Sequence, residues 1–292
     1  MSVFFEPFTN NSFMQLALLG GVLVALTCAI AGTFVVLRGL AFIGDALAHG
    51  VLPGIAAALL LGISGVYGAI VGAAVMMGGV SLVQRRFKMS GDTAIGLLFV
   101  GMLALGVLIT SRSETFVGDL TRVLFGELLG VNRNDIVFQL VALALVAGIA
   151  FVGRRPFLLL SWDEGLTTTA GFSVRLFGNL MLALVAITII ASFQSVGTLL
   201  VLGLLVAPAA TGALLARSVG MMMTIAALIG TVSVYLGLLA SYHFDLAAGA
   251  AIVLTAVIIF AIAATITEVV RSITDRGHDH ELPHVHGSVH VR

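Results

Sequence analysis

Nine long apolar segments make up most of this chain, and they constrain its fold more than any other feature. We place them at residues 14–36, 40–61, 66–83, 93–110, 136–153, 175–193, 196–216, 221–240 and 247–267. A helix of such length crosses a hydrocarbon core of about 30 Å at about 1.5 Å per residue. Only 10% of the residues are charged, whereas soluble domains have about one quarter. The sequence therefore predicts an all-α polytopic membrane protein, with a transmembrane domain over residues 1–276.

The number of spans and their orientation follow from the connections between them. The break at residues 193–195, "FQS", is short for a loop, so eight spans with a re-entrant segment remain an alternative to nine. Placing the N-terminus outside brings most basic residues to one side, and the positive-inside rule then puts the C-terminus in the cytoplasm. These basic positions are Arg38, residues 85–88, residues 154–155, Arg175, Arg217, Arg271 and Arg276.

Several functional classes are excluded by what the sequence lacks. No phosphate-binding loop of the G-x-x-x-x-G-K-[ST] type surrounds Lys88, the only lysine, so any ATP-driven work has to come from another chain. Cys28 is the only cysteine, and no arrangement typical of nucleophilic catalysis is present. A formal net charge of zero gives no indication of a nucleic-acid partner. The chain is not expected to be an enzyme.

The second apolar segment contains Asp45 and His49, the only strongly ionisable side chains well inside a predicted span. An Asp at the centre of a membrane helix costs about 2.5 to 3.5 kcal/mol on insertion scales. The i, i+4 spacing places both side chains on one helix face, where both can bind one divalent metal ion. The alternative is an Asp–His hydrogen bond that only holds two helices together.

Two ligands are too few for a metal site, so the pair suggests a symmetric dimer. A twofold homodimer would supply two Asp and two His ligands. Small neighbours, Ala46, Ala48 and the G-x-x-x-G pair Gly50 and Gly54, would allow two helices to approach closely there. Pro53 is expected to kink this helix.

Two stretches outside the spans are predicted to be helical. Residues 115–130 have an apolar stripe typical of a short helix on the outer face, or of one that only packs over the span ends. In residues 161–174, Ser161 and Glu164 have capping-box spacing, and Gly171 can close the far end of a helix of about nine residues. So short a helix needs a docking partner; otherwise the stretch is only a capped loop.

The stretch "VLRGLAFIGDALAHGVLPGI" around Asp45 resembles the signature of the ABC-3 family, the permeases of bacterial zinc, manganese and iron ABC importers. Its D-A-x-x-H block followed by L-P-G is the most specific part. Similarity extends over residues 14–270, through "GDTAIGLLFVGMLALGVLI" (91–109), "LFGELLGVNRNDI" (124–136), "SFQSVGTLLVLGLLVAPAATGALL" (192–215) and "SYHFDL" (241–246).

This resemblance implies a homodimer in the bacterial cell membrane, bound to two cytoplasmic ABC ATPase subunits and supplied by an extracellular metal-binding protein. It implies that Asp45 and His49 are ligands of the transported metal. The family's coupling helix, which contacts the ATPase, corresponds to residues 162–170. The positions expected to take part in coupling are Asp163, Glu164, Ala170 and Gly171.

The identity of the metal stays open at this point, between Zn²⁺ and Mn²⁺, with Fe²⁺ also possible for the family. No permanently bound cofactor is expected; ATP is used by the partner subunit. A His-rich tail, residues 277–292, favours zinc slightly, either as an auxiliary metal-binding segment or as a disordered tail without function. Its histidines are His278, His280, His284, His286 and His290.

Two other functions remain alternatives. One is a secondary transporter or channel that moves metal without ATP. The other is a membrane scaffold in which Asp45 and His49 only hold helices together.

Overall fold

The computed structural model describes residues 11–111 and 128–278, and within these ranges the chain is helical, with no β-strand. The helices are α1 (Ser12–Leu37), α2 (Ala41–Gly50), α3 (Leu52–Leu60), α4 (Gly65–Phe87), α5 (Gly91–Thr110), α6 (Arg133–Trp162), α7 (Glu164–Thr169), α8 (Val174–Val196), α9 (Thr198–Leu215), α10 (Val219–Phe244) and α11 (Ala248–His278). A 3₁₀ turn, Leu128–Gly130, precedes α6.

Nine helical segments in the described residues are long and apolar enough to cross a membrane, which confirms the predicted number. They range from 18 residues in α9 to 30 residues in α6. Helices α2 and α3 together form one of them, Ala41–Leu60. Helix α6 continues well past the predicted boundary at residue 153, because its apolar sequence resumes after Arg154 and Arg155.

Helix α1 lies at the centre of the bundle. In its most apolar stretch 67% of the residues are buried, against 17% in α5 and in α11. It packs against α6, α9 and α10, and small residues allow these close contacts. At Gly32, a Cβ would overlap the backbone carbonyl of Leu205 in α9. Helices α5 and α11 therefore lie at the periphery of the bundle.

One helix break inside a span and one between two spans follow from backbone chemistry that is visible in the sequence. The α2–α3 break falls at Val51, two residues before Pro53, whose missing amide cannot continue the helical ladder. Helices α8 and α9 meet at Gly197, with φ of 80°. A positive φ is readily available only to glycine, so one residue separates the two helices. The break predicted at residues 193–195 falls instead at Gly197, because α8 continues to Val196, and the two helices remain separate candidate spans.

Two predictions fall partly on residues outside the described ranges. Of the predicted outer helix, residues 115–130, only Leu128–Gly130 is described, and it is a 3₁₀ turn. Helix α11 extends to His278, so its last turn includes the start of the predicted tail. His280, His284, His286 and His290 lie outside the described residues.

Candidate functional site

Asp45 and His49 lie on one face of α2, as their spacing predicts, and they face each other. Oδ1 of Asp45 is 3.4 Å from Nε2 of His49. Their side chains are 33% and 25% exposed, respectively, although Ala46, Leu47 and Ala48 on the other faces of α2 are buried. The helix thus packs its apolar faces into the bundle and leaves one polar face accessible.

The position of this pair along the membrane follows from Gly50, the next residue after His49. Gly50 packs against Met76, near the middle of α4. Because α4 is one of the membrane-spanning helices, the pair lies near the middle of the membrane. Charged groups at that depth are rare in membrane proteins and are usually functional.

The imidazole of His49 is incompletely satisfied. Its Nδ1 is buried without a hydrogen-bond partner among the described residues. The ring of Phe99, in α5, lies edge-on at a centroid distance of 5.7 Å. The 3.4 Å separation of Nε2 from Asp45 is also long for a good hydrogen bond. A pair whose only purpose was to join helices would bond to another helix, whereas this pair lies within α2.

The two facing atoms fit a shared metal ion. If a metal ion lies about 2.1 Å from each of these two atoms, which are 3.4 Å apart, the angle at the ion between them is about 108°. That angle is close to the tetrahedral value that zinc sites prefer, and it lies within the range of less regular carboxylate and imidazole sites. The pair therefore has the geometry of half a metal site.

The described residues offer no further ligand group for such an ion. Within residues 11–111 and 128–278 no group of three or more His, Cys, Asp or Glu side chains could hold a metal ion. Ala41 and Phe42, on the same face of α2 as the pair, are exposed. Further ligands have an open route to Asp45 and His49 from outside the described chain.

The predicted role of the small residues next to the pair is wrong. Ala46 and Ala48 are fully buried inside the chain, so they do not line an open face of α2. A Cβ at Gly54 would overlap the backbone carbonyl of Gly68 in α4. The G-x-x-x-G pair thus serves close packing of α2 and α3 on α4 within one chain.

The predicted coupling helix is present as α7, but it begins differently from the prediction. Its N-cap is Asp163, whose Oδ1 accepts a hydrogen bond of 2.9 Å from the backbone N–H of Leu166. Ser161 does not cap it, because α6 continues to Trp162 and the Ser161 hydroxyl donates to the carbonyl of Phe157. Helix α7 is 6 residues long, shorter than the predicted nine.

The far end of α7 closes as predicted. The backbone N–H of Ala170 donates to the carbonyl of Leu166, and Gly171 adopts a φ of 83°. A glycine in this left-handed conformation commonly ends a helix.

Helix α7 connects to the start of the Asp45 helix through an ion pair. Glu164 lies 3.2 Å from the guanidinium of Arg38, in the turn between α1 and α2. Burial lowers the pKa of Arg38 and the charge of Glu164 raises it, so the group stays cationic at neutral pH. A cavity of about 770 Å³ adjoins this ion pair, between α7 and the ends of α2, α4, α5 and α8.

Only Thr167 of α7 is buried against the bundle. Trp162, the last residue of α6, and Leu166 of α7 are 80% and 51% exposed. Two large apolar side chains are therefore uncovered at the end of the bundle that contains Arg38.

Sequence reasoning missed Arg38 as a partner of Glu164 and Phe99 as a neighbour of His49. Arg38 and Glu164 are 126 positions apart, and no local pattern links them. A third missed feature is the buried hydrogen bond from Gln139 to Ser192, between α6 and α8. The sequence could have indicated these contacts only through the presence of polar side chains in or next to otherwise apolar segments.

Comparisons with known proteins show which family this chain belongs to. The ABC 3 transport family matches residues 10–267. The manganese transport system membrane protein MntC of Halalkalibacterium halodurans is 36% identical over 264 residues, covering 90% of each chain. The chelated iron transport system membrane protein YfeD of Yersinia pestis is 34% identical and covers 94% of this chain and 92% of its own.

A solved structure has the same architecture. PsaBC from Streptococcus pneumoniae in complex with Fab contains a chain that superposes with a TM-score of 0.79 at 32% identity. The match covers 89% of this chain and 94% of that chain.

Proposed function

Since this chain belongs to the ABC 3 transport family of membrane permeases, we propose that it is the permease subunit of an ATP-driven importer of a divalent transition metal. The observation that carries this proposal is the mid-membrane pair Asp45 and His49, whose facing atoms lie 3.4 Å apart on an accessible helix face. The family accounts for the polytopic fold, and the pair accounts for the cargo.

The transport site is completed by a second copy of the chain. Two Asp45 carboxylates and two His49 imidazoles around a twofold axis give four ligands and balance the charge of a divalent ion. The exposed face of α2 and the lack of a third ligand among the described residues support this arrangement. A cation entering such a site exchanges its hydration shell for four protein ligands.

We favour Mn²⁺ as the cargo over the Zn²⁺ that the His-rich tail suggested. The relatives reported above are named for manganese and for chelated iron. Carboxylate ligands suit Mn²⁺, whereas imidazole is shared by zinc and iron sites. The tail carries no argument for zinc from structure, because nearly all of it lies outside the described residues.

Two ABC ATPase subunits dock at α7. The exposed apolar pair Trp162 and Leu166 suits a protein partner, because aromatic and large apolar side chains carry much of the binding free energy in interfaces. Movement of α7 reaches the base of α2 through the Glu164–Arg38 ion pair. ATP binding and hydrolysis thereby open the two sides of the Asp45–His49 site alternately.

In this arrangement the N-terminus is outside the cell, and α7 and the C-terminus are cytoplasmic. An extracellular metal-binding protein delivers the cation to the opposite face.

Metal uptake by the reconstituted complex tests the proposal. Proteoliposomes containing the chain and its ATPase should accumulate radioactive Mn²⁺ only with ATP, and Asp45→Ala or His49→Ala should abolish uptake while the ATPase still assembles. Uptake without ATP would identify a channel or secondary transporter instead. Normal uptake by both variants would refute the site, and competition by Zn²⁺ or Fe²⁺ ranks the metals.

A further inference from the structure

A groove on the side of the bundle lies apart from the metal site and from α7. Helices α6 and α10 each pack against α1 but leave a furrow between them, with α1 as its floor. It has a volume of about 510 Å³. Most of its lining is apolar, and it includes Ile30 and Phe34 of α1, Ala147 and Ala150 of α6, and Met223 of α10.

The mouth of this α1–α6–α10 groove is cationic. Arg154 and Arg155 line it, and no acidic residue is among its lining. In residues 11–111 and 128–278, neither arginine has a carboxylate partner; the Arg154 guanidinium lies over the Phe151 ring at 5.2 Å. Both arginines therefore remain available for an anion that comes from outside the chain.

The beginning of α10 adds to this positive character. Val219 and Gly220, the first two residues of α10, line the same mouth. The N–H groups of these two residues have no acceptor within the helix, whereas the next N–H, that of Met221, donates to the Ser218 hydroxyl; the helix dipole is positive at this end. Space beside Gly220 is open, since a Cβ there would have no neighbour within 4 Å. An anionic group can approach these amides closely.

The depth of the groove matches the layers of a bilayer. From Ile136, near the start of α6, to Arg154 the helix rises about 27 Å, close to the thickness of the hydrocarbon core. Arg154 and Arg155 therefore lie at the level of lipid headgroups, and Ala150 and Ala147 lie toward the acyl chains. Small side chains at these two positions leave room for a chain to lie against α1.

We propose that the α1–α6–α10 groove binds one anionic phospholipid. Its phosphate contacts Arg154, Arg155 and the start of α10, and one acyl chain lies in the apolar furrow. A zwitterionic lipid has an ammonium group that two arginines repel, whereas a free phosphate ion leaves the furrow unused. This combination of charge and apolar surface favours a lipid with net negative charge.

Native mass spectrometry of the purified full-length protein tests this proposal, with phosphatidylglycerol, phosphatidylcholine or inorganic phosphate added in detergent. The wild-type protein should retain one phosphatidylglycerol in preference to phosphatidylcholine. Each basic residue near an anionic lipid contributes about a factor of five in affinity. Arg154→Gln with Arg155→Gln should therefore weaken retention by about 30-fold.

Two further variants separate the groove from general surface charge. Arg271→Gln removes an exposed arginine of α11 that does not line the groove, and it should retain phosphatidylglycerol as the wild type does. Ala147→Phe keeps both arginines but fills the furrow, and it should lose the lipid. Equal retention of phosphatidylcholine, unchanged retention by the double arginine variant, or an equal loss in Arg271→Gln would overturn the proposal. Thermal stabilisation by inorganic phosphate equal to that by phosphatidylglycerol would also overturn it.

Discussion

The two short helices α2 and α7 both carry acidic side chains, but the surroundings of these side chains differ. In α7, Asp163 caps the helix and Glu164 pairs with Arg38. In α2, Asp45 and His49 are 3.4 Å apart, and Nδ1 of His49 has no partner among the described residues. The polar groups of α7 thus stabilise its own position, whereas those of α2 leave a buried ring nitrogen without a hydrogen bond.

The strongest test of this contrast removes the two polar side chains of α2. Asp45→Ala and His49→Ala should each reduce ATP-driven Mn²⁺ uptake by at least about 100-fold, because even residues behind metal ligands typically change affinity by 10- to 100-fold. Both side chains are partly exposed, and the edge-on contact of His49 with Phe99 of α5 is the only described ring contact to another helix, so thermal unfolding should change little for Asp45→Ala and somewhat more for His49→Ala. Uptake assays and melting curves on the same preparations measure the two effects.

A variant that unfolds at a much lower temperature would contradict the contrast, since Asp45 and His49 would then be structural. Asp45→Asn serves as a matched control. It keeps the size of the side chain and a hydrogen-bond acceptor but removes the charge, and it should lose uptake nearly as completely as Asp45→Ala.

Gly54, in α3 just after α2, should affect thermal stability, in contrast to Asp45 and His49. Gly54→Ala places a methyl group against the backbone of Gly68, and overpacking of this kind costs about 1 to 3 kcal/mol. Gly101→Ala in α5 is the control, because a Cβ there meets nothing within 4 Å. Melting temperatures should fall for the first variant and not for the second. Equal melting temperatures for the two variants would contradict the close packing of Gly54 on Gly68.

Features of the bundle were predictable from sequence where one local physical rule governs them. Span positions follow from apolar length, the break at Val51 from Pro53, and the end of α7 from Gly171. The start of α7 was not predictable, because Ser161 and Asp163 are both suitable N-cap residues, each followed by a possible first helical turn. The choice depends on how far α6 extends, and packing of Phe157 and Leu160 inside the bundle decides that.

Removing the N-cap of α7 should have an effect of intermediate size, and it tests whether the polar groups of α7 stabilise that helix. Asp163→Ala should cost about 1 kcal/mol of local stability, since it removes the hydrogen bond to Leu166. Binding of the ATPase subunits should weaken while Mn²⁺ binding stays unchanged. Ser161→Ala should affect neither, because the Ser161 hydroxyl bonds within α6. Binding assays between permease and ATPase compare the two variants. A larger effect of Ser161→Ala than of Asp163→Ala would support the capping box predicted from sequence.

The smallest expected effect concerns the link between the two helices. Glu164 is largely exposed, and exposed ion pairs contribute about 0.2 to 1 kcal/mol. Glu164→Gln should therefore lower ATP-driven uptake only a few-fold, without loss of Mn²⁺ binding. The exchange Arg38→Glu with Glu164→Arg should restore part of the uptake. No restoration by the exchange would mean that the pair does not transmit movement.

The site itself was only half predictable from sequence. Spacing places Asp45 and His49 on one face of α2, because helical periodicity is local. The role of Gly50 and Gly54 was assigned to the wrong contact, since a small-residue motif does not specify which helix it meets. Met76 and Gly68 of the same chain occupy that face. The pairing of Arg38 with Glu164 likewise needed three-dimensional structure.

The number of metal ions bound per chain tests the central claim most directly. Purified wild-type protein, titrated with Mn²⁺ and followed by electron paramagnetic resonance, should bind one tightly held ion per two chains. Binding should disappear in His49→Ala and in Asp45→Ala. One ion per chain in the wild type, or undiminished tight binding in both variants, would contradict a site shared by two copies of Asp45 and His49.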